Sequence, residues 1–243
     1  MSLHTYFDKI YCVTLPQRAE LFSKIQQEVK DLGGKLTRYK VCPLKLKPQV
    51  PYGFDYFDVE MPSNWKGRNA QSYNYMMCFF NIIQKCKDEG VQSLLYLEDD
   101  VCLLPHFKYF MPIIMENAPK YWEMIYFGPG HHGKNDQPSK QYNIETPYLY
   151  RSELNLGMQA VAISSRMFDM LLELRDKPWL NENPYVDITI AHQFHRGNSP
   201  HGRRYCYGAF PYLVCETSGF SYNEYNSVNR PEYELWKGQL CSK

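Results

Sequence analysis

LLYLEDDVCLL, residues 94–104, is the stretch whose reading decides the fold. Leu94, Leu95, Tyr96 and Leu97 run unbroken into Glu98, Asp99 and Asp100. An apolar run without alternation suits a strand covered on both faces, as in a parallel sheet. The three acids at its carboxyl end repel one another. At contact distance that repulsion is roughly 1 kcal/mol in water and about 4 at an effective dielectric of 20. A hard divalent cation, Mg²⁺ or Mn²⁺, would remove it and gain oxygen ligands. In open α/β sheets the carboxyl ends of strands are also where ligands bind. A solvated acidic turn is the alternative reading of the same letters.

The segments around this strand alternate in period. Residues 69–87 read as a helix, with Ala70, Tyr73, Met77, Phe80 and Ile83 along one face, closed by Asp88-Glu89-Gly90. KIYCVTL, residues 9–15, reads as the first strand. A helix follows to about Leu32, with Phe22, Ile25, Val29 and Leu32 on one face and Gly33-Gly34 as its stop. Residues 35–42 read as a second strand, which makes a β-α-β opening with a parallel pair. Downstream, a short helix is expected over 107–117 and strands over 123–127 and 157–164. Ser164 or Ser165 can cap a helix over 166–175. The fold class is therefore α/β, a Rossmann-like, mostly parallel sheet flanked by helices. One domain is expected over 1–221, with 222–243 as a tyrosine-rich arm packed on it or partly flexible. Residues 42–65, broken by Pro43, Pro48, Pro51 and Pro62, are too long for an ordinary connection.

Composition narrows the partners. The 243 residues are enough for one large domain, and a net charge of +1 gives no electrostatic reason to expect nucleic acid or an anionic membrane. No run approaches the ~20 apolar residues of a membrane span, and no basic segment leads an apolar one at the start. A cytoplasmic location is expected. The 8 cysteines show no C-x-x-C spacing, so reduced thiols are expected and a zinc knuckle is not. The 21 tyrosines suit stacking on sugars or bases, but they also fill cores.

The order of the pieces carries more than any one of them. A first strand running into Leu15-Pro16-Gln17-Arg18, a serine-bearing helix, LYLEDDV, a strand ending in GPGHH, GMQAVAIS before a helix, and PYVD together resemble glycosyltransferase family 25. That family includes bacterial lipooligosaccharide transferases, collagen galactosyltransferases and similar enzymes of large DNA viruses. The resemblance runs over residues 9–221 as an order of elements, and only LYLEDDV and GMQAVAIS are close in letters. It implies a GT-A fold whose acidic motif holds Mn²⁺ or Mg²⁺ on a nucleotide-sugar diphosphate. For a viral enzyme, the cytoplasm in question would be the host's.

On that resemblance, Asp100 is the leading metal ligand, with Glu98 on the same side of the extended chain and Asp99 opposite unless the strand has already turned. A late histidine in the metal shell is implied, and His195 is the candidate. Leu15, Arg18, Asp99 and Gly157 are implied contacts to the nucleotide sugar. Arg196 and Arg203, in HRGNSPHGRR, would cover its diphosphate, since arginine presents a planar fork of donors; a solvated loop is the plainer reading. Gly157 has two readings, a strand entry that permits close backbone approach and an approach to sugar. Asp187, in NPYVDITIA, is the implied catalytic base, although aspartate there can also cap the following helix. The expected activity is metal-dependent sugar transfer from a nucleotide diphosphate donor to a hydroxyl of a glycan or protein, with inversion as the expected outcome. A nucleotidyltransferase uses similar metal chemistry on phosphorus, but no Gly-rich phosphate loop is present. A non-catalytic carbohydrate-binding module is the third possibility, and the intact acidic motif speaks against it.

Overall fold

A computed structural model describes residues 2–15, 18–40, 70–128, 144–152, 155, 157–176, 186–195, 202, 204–217, 219–221 and 226–228. The strands are β1 (Lys9–Thr14), β2 (Leu36–Lys40), β3 (Ser93–Glu98), β4 (Val101–Leu103), β5 (Met124–Tyr126), β6 (Ile144–Thr146), β7 (Leu149–Arg151), β8 (Ala160–Ser164), β9 (Cys206–Ala209), β10 (Val214–Glu216), β11 (Gly219–Ser221) and β12 (Asn226–Val228). The helices are α1 (Ala19–Asp31), α2 (Ala70–Asp88), α3 (Phe107–Asn117), α4 (Phe168–Arg175) and α5 (Val186–Ile190). The proline-broken segment 42–65 and most of the arm 222–243, with Arg196 and Arg203, lie outside the described residues.

Eight strands form one sheet in the order β2-β1-β3-β8-β5-β9-β7-β6. β1 pairs parallel with β2 and β3, and β5 pairs parallel with β9. β8 runs against both β3 and β5, and β7 runs against β9 and β6. Six strands therefore point one way and two the other, so the sheet is mostly parallel by direction but mixed by pairing. The β-α-β opening is present as expected, with Ile10 beside Leu36 and Thr14 beside Lys40. β11 and β12 pair antiparallel as a separate two-stranded sheet.

Period-2 alternation distributes side chains to the two faces of the sheet. Tyr11, Val13, Leu94, Tyr96, Val161 and Ile163 pack under α2, α4 and α5. Ile10, Cys12, Leu95, Leu97, Ala160 and Ala162 pack under α1 and α3. The result is a three-layer α/β/α arrangement with β3 in the interior, which explains why its letters do not alternate between apolar and polar. Leu94, Leu95, Tyr96 and Leu97 are each at most 1% exposed. Burial of a side chain of this size contributes roughly 1.5–3 kcal/mol, so the acids that follow start from a firmly anchored strand.

α1 buries Phe22, Ile25 and Val29 as its spacing requires. Gly33, at φ +67°, then ends the helix in the left-handed conformation that a side chain would disfavour. α2 departs from expectation. Its buried residues include Met76, Phe79, Ile83 and Cys86 as well as Phe80, whereas Met77 is only partly buried. The inward stripe is therefore turned by about one residue and is broader than a single 3-4 row, because α2 lies over the sheet and also against α4. α4 is preceded by a short 3₁₀ turn over Ser165–Met167, and the Ser164 hydroxyl accepts the Arg166 N–H at 3.3 Å.

Candidate functional site

From β1 the chain turns outward to β2 on one side, while β3 lies on the other. The crevice beyond the carboxyl ends of β1 and β3 is thus the point where strand order reverses, the usual ligand position in such sheets. Arg18 enters it from the end of β1. Glu98, Asp99 and Asp100 enter it from the end of β3.

β3 ends at Glu98, and the next two residues already turn. Asp99 and Asp100 therefore do not alternate: both face Arg18. Its Nη1 lies 2.7 Å from Asp99 Oδ1 and its Nη2 lies 3.1 Å from Asp100 Oδ2. The guanidinium is 17% exposed and Asp99 only 4%. For these two acids the countercharge is within the chain, so their mutual repulsion does not by itself call for a metal. Loss of hydration pushes the Asp99 carboxyl up to about 6, Arg18 pulls it down and Asp100 pushes it up again. Arg18, implied as a nucleotide contact, is here first the partner of the acid turn.

Glu98 has different neighbours. Its Oε1 accepts the hydroxyl of Tyr75 on α2, and Tyr75 in turn accepts the Tyr96 hydroxyl at 2.7 Å. Loss of hydration holds the Glu98 carboxyl well above the usual range, Asp100 adds to the rise, Tyr75 opposes it, and Glu216 and Asp187 add again. Glu98 thus feels three other acids, Asp100 from its own turn and Asp187 and Glu216 from distant segments. Glu216 ends β10, where its Oε1 accepts the side-chain amide of Gln159.

Asp187 lies in the first turn of α5, inside the helix rather than ahead of it. Its Oδ1 accepts the Ile188 N–H at 2.8 Å and its Oδ2 the Gly157 N–H at 2.9 Å. Gly157 has φ +93°, and a Cβ there would come within 2.5 Å of the Gln159 amide nitrogen. The close backbone approach that Gly157 permits is thus to Gln159 and the Asp187 carboxylate. Leu15 is 7% exposed and packed in the core, so only its main chain borders the crevice. Its carbonyl accepts the Arg18 N–H at 3.0 Å and the Thr14 hydroxyl at 3.1 Å.

His195 is not gathered with Glu98 and Asp100. It is buried at the end of a π-helical turn, Ala191–His195, where Nδ1 accepts the Asn155 N–H at 3.2 Å and the ring meets Tyr126 edge-on. Among the described residues no three of His, Cys, Asp and Glu come together closely enough to hold a metal ion by themselves. Mg²⁺, however, is usually held by one or two carboxylates, with substrate phosphates and water completing the shell. Asp100 Oδ1 and Asp99 Oδ2 are buried and accept no hydrogen bond. An unpaired buried acceptor costs about 1–3 kcal/mol, and a cation would satisfy it. Asp99 Oδ2 and Asp100 Oδ1 are thus the acceptors of the acid turn that a cation could reach.

Tyr75, Gln159 and Glu216 were not among the sequence candidates. Glu216 carried the clearest signal, since it closes the apolar run Leu213-Val214-Cys215 as Glu98 closes its own. Among the described residues no helix is long and apolar enough to cross a membrane.

No family model matches the sequence, and no curated protein matches it. Among solved structures the chain is similar to a glycosyltransferase involved in the glycosylation of the major capsid of PBCV-1, at 14% identity and a TM-score of 0.48, over 93% of this chain and 99% of that one. It is also similar to the glycosyltransferase GlyE of Streptococcus pneumoniae TIGR4, at 12% identity and a TM-score of 0.41, over 95% of this chain and 52% of that one. The chain thus spans about half of GlyE.

Proposed function

We propose that this chain is a glycosyltransferase that moves a sugar from a nucleotide-diphosphate donor to a hydroxyl of a glycan or protein acceptor, with inversion. The observation that carries the proposal is the meeting, at the strand-order reversal of a parallel β2-β1-β3 unit, of a cationic fork (Arg18), an acid turn (Glu98 to Asp100) and a backbone-held carboxylate (Asp187). An anionic diphosphate requires positive charge beside a metal-binding oxygen pair, and a hydroxyl nucleophile requires a fixed proton acceptor.

In this reading Asp100 and Glu98 would hold Mn²⁺ or Mg²⁺, which when bound neutralises charge on the leaving diphosphate. Arg18 holds Asp99 and Asp100 in place through its two terminal nitrogens. The Arg18 fork would also offer donors to the nucleotide phosphates. Asp187 takes the proton from the acceptor hydroxyl at whichever carboxylate oxygen faces it. The two N–H donors from Gly157 and Ile188 fix its rotamer, and each oxygen keeps a lone pair, so holding and accepting are compatible. Glu216, fixed by Gln159, lies close enough to influence Glu98 and gives the crevice a second acidic wall suited to sugar hydroxyls. Arg196 and Arg203 are proposed to meet the diphosphate from the segment after His195.

A panel of nucleotide sugars, each with and without Mn²⁺, tests this by thermal shift and by release of the nucleoside diphosphate. A donor that binds only the folded state at 100 times its Kd adds about 2.7 kcal/mol. Stabilisation by one nucleotide sugar that requires the metal is the expected result. A panel that shifts nothing, with no nucleotide released on acceptor addition, refutes the proposal.

A further inference from the structure

β4 leaves the acid turn and pairs antiparallel with β10, as a two-stranded ladder outside the main sheet. In that ladder Cys102 stands directly opposite Cys215. The Thr217 N–H donates to the Asp100 carbonyl at 2.6 Å on one side, and the Leu104 N–H donates to the Leu213 carbonyl at 2.9 Å on the other. Hydrogen-bonded pairs recur at every second position of an antiparallel ladder, so Cys102 and Cys215 form one, with Cα atoms about 5.5 Å apart. That separation falls inside the roughly 4.4–6.8 Å that a disulfide spans. Directly opposed residues put their side chains on the same face of the ladder, so the two thiols lie side by side across it.

Both cysteines are free thiols here. Cys102 is partly exposed and Cys215 is buried. The other described cysteines, Cys12, Cys78, Cys86 and Cys206, are all buried. Cys102 is thus the described thiol open to an oxidant, and its partner is already in place. Cys102 also lies two residues beyond Asp100, and Cys215 immediately precedes Glu216.

We propose that Cys102 and Cys215 are a thiol/disulfide site: a low-molecular-weight disulfide closes them into a reversible bridge that staples the Asp100 turn to the Glu216 strand. The Cys102 thiolate attacks one sulfur of oxidised glutathione, forming a mixed disulfide and releasing one glutathione thiolate. The Cys215 thiolate then attacks the Cys102 sulfur, forming the internal bridge and releasing the second glutathione. The two protons lost by the protein thiols pass to the two glutathione thiolates. Two protein thiols are oxidised by two electrons, and one glutathione disulfide is reduced to two thiols. A partly exposed bridge of this kind belongs to the labile class rather than to structural disulfides.

The test uses the full chain equilibrated in glutathione buffers of graded oxidised-to-reduced ratio, then alkylated, digested without reduction and mapped by mass spectrometry. NMR hydrogen exchange at the Thr217 amide, beside the proposed staple, is followed in the same buffers. The expected result is a linked pair of peptides carrying Cys102 and Cys215, reversed by dithiothreitol, with Thr217 exchange slowed several-fold when the link is closed. A Cys102→Ser variant, altered at the partly exposed position, should lack the link and show Thr217 exchange indifferent to the buffer. Alkylation of both cysteines across the whole series overturns the proposal. So does a link between other thiols, or a closed Cys102–Cys215 link that leaves Thr217 exchange unchanged. The mapping of the unaltered chain decides the matter even if the variant fails to fold.

Discussion

Replacing Arg18 with alanine should destabilise the protein in a way that depends on pH. Arg18 bridges Asp99 and Asp100 at 2.7 and 3.1 Å, and Asp99 is 4% exposed. Removing one partner of a buried pair leaves the other charge uncompensated, at a cost of about 3–5 kcal/mol. That cost applies only while the carboxylates are ionised. The folded Asp99 carboxyl sits at about 6 even with Arg18 beside it, against an ordinary value of about 3.9.

Because the folded value is raised, the contribution of Asp99 to stability is full below about 3.9 and is lost as pH rises through about 6. The gap corresponds to about 3 kcal/mol in the unaltered chain. Without Arg18, the strongest influence lowering Asp99 is gone, so its value rises further and the losing window extends above pH 6. Arg18→Ala should therefore differ little from the parent near pH 4.5, beyond lost packing, and by about 3–5 kcal/mol near pH 8. Equilibrium urea unfolding in EDTA at several pH values reads this directly, with an unchanged m-value showing that only stability moved. Adding Asp99→Asn to Arg18→Ala should recover much of the loss, as the double-mutant cycle of a coupled pair requires. A destabilisation that is the same at pH 4.5 and pH 8 would refute the reasoning.

Asp187→Asn keeps shape and still satisfies one backbone donor, so stability and donor binding should stay near those of the parent, while transfer slows by roughly 10²–10⁴-fold; rates within a few-fold would return Asp187 to a purely positional role. Asp100→Asn should abolish Mn²⁺-dependent donor binding in calorimetry without unfolding the chain, and parental affinity for both would remove Asp100 from the metal site. Gly157→Ala meets both a left-handed backbone and the Gln159 amide, so it should cost about 1–3 kcal/mol in chemical denaturation. It should also lower transfer by displacing the N–H that holds Asp187, and a Gly157→Ala chain equal to its parent in both assays would show that the backbone there relaxes freely.

The sequence alone determined the alternation of strands and helices, the buried strand at 94–97 and the acid run at its end, because each follows from a local period or a local break in one. α3 matches its expected span of 107–117, and α1 buries three of the residues its spacing named. Only the tertiary structure decided what surrounds the acids. Whether Asp99 alternates or turns depends on where β3 stops, and it turns at once because Arg18, from the far earlier end of β1, holds both carboxylates. Tyr75 reaches Glu98 because α2 crosses the sheet with a wider inward stripe than one helical row. Glu216 joins the cluster, and Cys215 meets Cys102, because β10 returns to pair with β4. His195 is held by the Asn155 N–H and packed against Tyr126. Periodicity is written in neighbouring letters, whereas a site is assembled by contacts between segments far apart in the chain, and those depend on strand order and register that no single segment carries.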